Sequence, residues 1–308
     1  MNLVKPNKEE INPFLQLLLL LFYALIGGLV FGLIAVVIDT MIYGMSFFSN
    51  FSLMMAGDPK YIDGLKIIQI FSSIGTFIAP PLALALTEGQ PITRFYGFKN
   101  PKPLLAGLVF LIMVASMPFM EWTVVINQKL VLPDFLKGLE QWMKEKEDEA
   151  MKLTIQLLTV RNNFDFVVNL IMIAVLPAIG EELMFRGGVQ RSINKAFNSP
   201  HLAIWLTAII FSAIHVQFYG FIPRMLLGAG FGYLYYFSGS IWYAILAHFL
   251  NNAYAVCAAF YMQKHNMPLD KADEPLGFAW YGYLISAIIT IALFKFFKDS
   301  TTSERKLD

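Results

Sequence analysis

From residue 14 to residue 43 the chain is almost unbroken apolar sequence, with Asp39 its one carboxylate and no Lys or Arg. A helix needs about 20 such residues to cross a hydrocarbon core. A signal-peptide core holds only roughly 7–15. The run therefore reads as a first transmembrane helix that stays in the protein. Seven further segments read the same way, at roughly 65–87, 104–121, 164–185, 201–217, 221–237, 241–262 and 276–297. In lipid the backbone must satisfy its own polar groups, which leaves helices and closed barrels. These runs lack the two-residue alternation of barrel strands. The expected fold is all-α: a polytopic transmembrane helix bundle of about eight spans.

Composition narrows the function classes. Charged residues make up 15% of the chain and hydrophobic ones 57%, against roughly 25% charged in soluble domains. A disordered chain, a disulfide scaffold and a soluble enzyme are excluded on that ground. A net charge of +1 gives no field for nucleic acid, so lipid is the expected partner. Cys257, the single cysteine, forms neither an internal disulfide nor a cysteine metal cluster.

No repeat or low-complexity stretch divides the chain, so residues 1–308 read as one integral membrane domain. Asn12-Pro13 and Ser199-Pro200 pair a capping residue with a proline at the first helical position. Pro80-Pro81 and Pro177 fall inside spans and are expected to kink or break them. Asp39 reads as an interfacial cap or polar contact at the end of its span. The connection 122–163, between spans three and four, is extramembrane. In it Phe135, Leu136, Leu139, Trp142 and Met143 share one helical face ahead of a charge run at 144–149, which describes an amphipathic interfacial helix.

Lys5, Lys8, Arg94, Lys99, Lys102, Arg191, Lys195, Lys298, Arg305 and Lys306 fall on the side of the N-terminus. Lys60, Lys129, Lys137, Lys144, Lys146, Lys152, Arg161, Lys264 and Lys271 fall on the other. The first set sits in shorter, denser segments, which places both termini in the cytoplasm.

Ionisable groups inside a membrane are functional hypotheses by default, since each costs on the order of 3 kcal/mol at mid-bilayer. Here they gather in the second half of the chain. Glu182 and Arg186 are four apart on one helix, in the favourable order, so Arg186 neutralises Glu182. Glu181 points about 100° away and is left as the candidate general base. It lies as far before the turn near Asn198 as His215 lies after it. In an antiparallel hairpin the two share a depth, and Phe211 shares the face of His215. His248 and Asn252 form another four-residue pair, begun about 13 Å along a helix from the Ser238-Gly239-Ser240 turn. His201 and His265 flank spans and read as surface residues. Gly228 and Gly232 read as close helix packing.

Glu-Glu-x-x-x-Arg, Phe-x-x-x-His and His-x-x-x-Asn, each on its own apolar helix and in this order, resemble the CPBP (Abi) family. These are intramembrane endopeptidases related to the type II CAAX prenyl protease. The motifs stand at Glu181, Glu182 and Arg186, at Phe211 and His215, and at His248 and Asn252. The resemblance covers about a third of the chain, with 164–262 as the motif-bearing core.

It implies that Glu181 and His215 activate water against a peptide carbonyl. His248 and Asn252 would hold the oxyanion, with Glu182 and Arg186 orienting the site. A competing set, Glu181, His215 and His248 around zinc, is equally open. The implied substrate is a peptide or protein, with lipidated CAAX proteins and leader peptides both within the class. The implied location is a bacterial cell membrane. His-Glu-x-x-His, Gly-x-Ser-Gly and Gly-x-Gly-Asp, the marks of other intramembrane proteases, are missing. A transporter or proton-coupled channel also places Glu and His in a bundle core, and a silent scaffold with an intact motif set is a third possibility.

Overall fold

The structure, a computed structural model, describes residues 10–269 and 277–304. Lys5, Lys8, Lys271, Arg305 and Lys306, used above for orientation, lie outside the described residues. Among those described there are helices and no strands. In chain order they are α1 (Pro13–Tyr43), α2 (Ser46–Met55), α3 (Pro59–Thr87), α4 (Ile92–Phe95), α5 (Pro103–Gln128), α6 (Lys137–Leu158), α7 (Asn163–Phe197), α8 (Pro200–Ala213), α9 (Phe221–Ser238), α10 (Ile241–Lys264) and α11 (Trp280–Glu304).

Six of these, α1, α3, α5, α7, α10 and α11, are long and apolar enough to cross a membrane. The protein is an integral, multi-pass membrane protein. α8 and α9 occupy the two remaining expected spans, but α8 has only 14 residues. That is about 21 Å of helix, short of the roughly 30 Å hydrocarbon core. α8 is therefore too short to cross by itself, and the chain turns back at residues 214–220.

Contacts at one end of the bundle fix its polarity. Glu10 meets Arg191 and Lys195, and Phe14 packs edge-on against Phe197. The Ile241 N–H bonds to the Gly97 carbonyl at 3.1 Å, and Lys298 lies over the Phe237 ring. The start of α1 and the end of α11 thus share one end of the bundle. α6 lies toward the other, and its Glu147 meets the turn after α8.

The core has two main parts. In one, Leu105, Leu108 and Ile112 of α5 pack with Phe231 and Leu234 of α9, Ala244 of α10 and Phe297 of α11. In the other, Leu20 of α1, Leu84 of α3, Tyr96, Leu183 of α7 and Ile241 of α10 meet. Much of the remaining apolar surface faces outward, as lipid requires. Leu18, Leu25, Leu29 and Leu33 of α1 are examples.

The prolines do not break their helices. Proline has no N–H, and its ring crowds the carbonyl four residues back. A wide turn with i→i+5 bonding makes room for it. Such turns occupy Ile74–Ile78 before Pro80-Pro81 and Leu170–Val175 before Pro177, and each helix continues through. A third wide segment, Leu183–Gln190, follows the acidic pair. Pro118, inside α5, is handled differently. The Ser286 hydroxyl of α11 donates to the Ala115 carbonyl at 2.5 Å and accepts the Phe119 N–H at 3.0 Å. α5 consequently runs on to Gln128, past the boundary of 121 expected from sequence.

At the caps, Asn12 accepts the Phe14 N–H at 2.9 Å, while Ser199 makes no side-chain cap bond. Asp39 is not the interfacial cap or polar contact expected of it. It is fully buried, its carboxylate has no hydrogen-bond partner, and it abuts Gly64. A Cβ on Gly64 would come within 3.1 Å of Asp39 Oδ1, so glycine lets α3 close over the carboxylate. α6 is one piece: it carries Leu139, Trp142 and Met143 as well as the charge run, with Phe135, just before it, and Trp142 exposed.

Candidate active site

Helix α7 brings the acidic pair into the bundle, and the four-residue spacing works as expected. Arg186 Nη1 lies 3.0 Å from Glu182 Oε1. Both side chains are buried to within 1% of full enclosure. Arg186 is held from three other directions. Its Nη2 donates to the Gly228 carbonyl at 2.9 Å. The rings of Phe211 and Phe231 lie 4.8 and 5.5 Å from its guanidinium carbon. Such cation–π contacts partly replace lost hydration in a dry site.

Gly228 permits this geometry. A Cβ there would stand 3.2 Å from Phe211 and 3.3 Å from Arg186 Nη2. One turn on, the pattern repeats: Gln190 Nε2 donates to the Gly232 carbonyl at 3.2 Å. The small-residue packing expected of Gly228 and Gly232 is present. It also exposes two carbonyls to α7.

α10 delivers His248 to the same carboxylate. His248 Nδ1 lies 2.8 Å from Glu182 Oε1. Its Nε2 faces Glu181, 3.8 Å from Oε2. Phe231 stacks on the imidazole with ring centroids 5.3 Å apart and planes at 22°, which fixes the ring plane. Glu182 therefore orients both Arg186 and His248, and Glu181 is the carboxylate with space around it. Its side chain keeps 13% of its surface exposed, against 0% for Glu182.

His215 follows the last turn of α8. Its Nδ1 lies 2.8 Å from the Phe211 carbonyl. A carbonyl only accepts, so Nδ1 carries the proton and Nε2 is the open nitrogen. The Phe211 ring touches both imidazoles, at centroid distances of 5.1 Å to His215 and 6.1 Å to His248. The depth argument from sequence paired Glu181 with His215. The ion-pair contact of Glu181 is with His248 instead, and His215 joins through Phe211.

Asn252 sits one turn beyond His248, and its amide is already engaged. Nδ2 donates to the Ile173 carbonyl at 2.9 Å, and Oδ1 accepts from Asn251 at 3.1 Å. The Ile173 carbonyl is the one four residues before Pro177, which has no N–H to offer it. An amide carries two N–H groups, and one remains.

Among the described residues no group of three His, Cys, Asp or Glu side chains is arranged to hold a metal. His201 and His265 are exposed as expected, with His201 bonded to the Tyr233 hydroxyl at 2.9 Å.

Sequence reasoning missed the turn 214–220 and the residues that serve it. Asn127, at the end of α5, donates to the Phe218 carbonyl and accepts the Ile222 N–H, each at 2.7 Å. Glu147 of α6 accepts the Tyr219 N–H at 3.0 Å. Arg224 of α9 hydrogen-bonds to Gln217. The available signal was Asn127 itself, a polar residue beyond the apolar run of span three.

Fold and site together define a polytopic helical bundle with a buried carboxylate–imidazole pair. Residues 163–254, the motif-bearing segment, match the family described as type II CAAX prenyl endopeptidase Rce1-like. A curated relative is an uncharacterized protein, YpbD, of Bacillus subtilis (strain 168), 26% identical over 112 residues. The matched stretch is 35% of this chain and 53% of the relative, so the chain spans about half the length of the curated relative it matches. No solved structure matches.

Proposed function

We propose that the protein is an intramembrane endopeptidase that hydrolyses a peptide bond within or beside the bilayer. The observation that carries this reading is the 3.8 Å gap between Glu181 Oε2 and His248 Nε2. It is too long for a direct hydrogen bond and short enough for one water to touch both groups.

Glu181 takes a proton from that water as the oxygen adds to the peptide carbonyl. His215, with Nε2 open, shares the role of base. His248, held at Nδ1 by Glu182, turns Nε2 toward the developing oxyanion. Preorganised donors of this kind are worth several kcal/mol in a site that excludes water. The second amide N–H of Asn252 is the further donor. Collapse of the tetrahedral adduct breaks the C–N bond, and the proton held by Glu181 passes to the leaving amine. Glu182, Arg186 and Phe211 keep the imidazole and the carboxylate in place. No step is routed through a metal.

The match to the Rce1-like family supports a substrate class. A CAAX box is a C-terminal, lipidated sequence, so a membrane-attached peptide near its own carboxyl end is the leading substrate. A leader peptide is the second. The protein acts in a bacterial cell membrane with both ends of the chain in the cytoplasm.

The test is proteolysis by purified protein in liposomes against a membrane-peptide library, with products read by mass spectrometry. Wild type should cut and Glu181→Gln should not, with both inserted to the same extent and with chelator making no difference. Solute flux without cleavage would replace the reading with transport. Loss of cleavage on chelation, restored by zinc, would replace the mechanism.

A further inference from the structure

Arg224 is a cation that this hydrolysis does not use. It lies in the first turn of α9, and its guanidinium sits against Gly220. A Cβ at Gly220 would stand 3.1 Å from Nη2 and 3.5 Å from Nη1. The side-chain oxygen of Gln217 accepts from Nη2, but Nη1 is buried with no acceptor. Two carboxylates lie within Coulombic reach, Glu181 of the active site and Glu147 of α6, and His215 feels the same charge.

An arginine sunk in a bundle is expensive unless a charge and good hydrogen bonds answer it. Here a neutral amide holds one edge and the other is open. Beside it the Tyr219 N–H is taken by Glu147 Oε2 at 3.0 Å. The Tyr219 N–H and the unpartnered Nη1 of Arg224, buried beside Gly220 and Gln217, are donors that suit a carboxylate. Glu147 is the chain's own carboxylate, resting on one of those donors from the extramembrane side.

We propose that Arg224 and the Tyr219 N–H form a subsite for the free C-terminal carboxylate of the peptide substrate, with Glu147 as its internal stand-in. This rests on the endopeptidase reading and deepens it. Arg224 would fix how far the cleaved bond lies from the end of the chain, because it holds the terminus a set distance from Glu181. It would also explain why a charged side chain from α6 reaches across to the turn after α8. A substrate carboxylate displaces Glu147 and takes its place on the Tyr219 N–H.

The experiment uses full-length Glu181→Gln protein in neutral detergent, so that binding is read without turnover. The probe is a dansylated pool of hydrophobic tetrapeptides, made once as free acids and once as carboxamides, with binding read by fluorescence anisotropy. The acid pool should bind about tenfold more tightly than the amide pool, as one charge-assisted contact supplies. Arg224→Gln should abolish that difference while leaving amide binding unchanged, and Arg224→Lys should keep part of it. Glu147→Gln should tighten acid binding alone, which a purely structural Arg224 would not cause.

Equal binding of both pools overturns the proposal, as does a difference that survives Arg224→Gln. If Arg224→Gln does not fold, the acid–amide comparison and Glu147→Gln decide. An acid preference without any cleavage by wild type defeats the endopeptidase reading and leaves the subsite. Cleavage with no acid preference does the reverse.

Discussion

Asn252 donates its side-chain amide to the carbonyl of Ile173, four residues before Pro177, where a regular α-helix would need the N–H that proline lacks. The third motif is thereby tied to the backbone of the helix that carries the first. A carbonyl inside a bundle costs about 1–3 kcal/mol when it is left unsatisfied. Asn252→Ala should lower stability in detergent by roughly that amount. In a Pro177→Ala background, where an N–H is restored, the same substitution should cost about 1 kcal/mol less. Thermal unfolding of the four proteins measures this, and strict additivity would show that the bond does not couple the two helices.

Glu182 holds two buried partners at once, Arg186 by an ion pair and His248 by a hydrogen bond. Removing one partner of a buried pair strands the other, typically at about 3–5 kcal/mol. Glu182→Ala is therefore expected to be among the most destabilising single changes in α7. Adding Arg186→Met should recover much of the loss without restoring cleavage. If the double variant is no more stable than Glu182→Ala, the stranded charge is not the cause.

Where α1 crosses α3, Gly27 and Gly75 meet backbone to backbone. A Cβ on Gly27 would fall 2.0 Å from the Gly75 carbonyl oxygen. At Gly228 the nearest atoms belong to side chains, at 3.2 Å or more. Gly27→Ala should therefore prevent or severely weaken folding. Gly228→Ala should fold with a loss of about 1–3 kcal/mol from overpacking. Expression and thermal stability in detergent rank the two, and the opposite order would contradict this crossing.

The N-terminal strap responds to pH. Burial pushes the Glu10 carboxyl up, but its hydrogen bonds and charge contacts with Arg191 and Lys195 outweigh that and hold it below the usual carboxylate range. A carboxyl with a depressed folded pKa contributes stability that is fully present above its unfolded value. That contribution is lost as pH falls through the folded value. The strap should be fastened at neutral pH and should release only on acidification below the ordinary glutamate range. Hydrogen exchange at residues 10–16 across that range is the readout, and Glu10→Gln should abolish the dependence. Protection that is flat in wild type would show that these contacts do not hold the strap.

How much of this could be read in advance depends on whether the cause is local. Glu182 with Arg186 follows from helix periodicity, and close packing at Gly228 and Gly232 from residue size. Both are properties of one helix. Arg224 could not be assigned from sequence, because an Arg near the end of an apolar run reads as an ordinary helix terminus. Its meaning depends on α8 being short and on the course of the turn after it. The contact of Glu181 with His248 was not legible either. Equal offsets from a turn give equal depth, but they do not say which neighbouring helix a side chain faces. Asp39 shows the same limit, since its burial is set by Gly64 on another helix.

The wide turn at Leu170–Val175 sets a phase. With i→i+5 bonding it holds one residue more than an α-helical turn would, and each α-helical residue turns the chain by about 100°. Deleting one residue there would close the turn to ordinary α geometry and leave Glu181 and Glu182 in phase, whereas closing it with every residue kept would swing them about 100° around the axis of α7. His248 would then face a different side of the helix. The azimuth of the acidic pair is in this sense written ten residues upstream, in a stretch of Leu, Ile, Met, Ala and Val that carries no chemistry of its own.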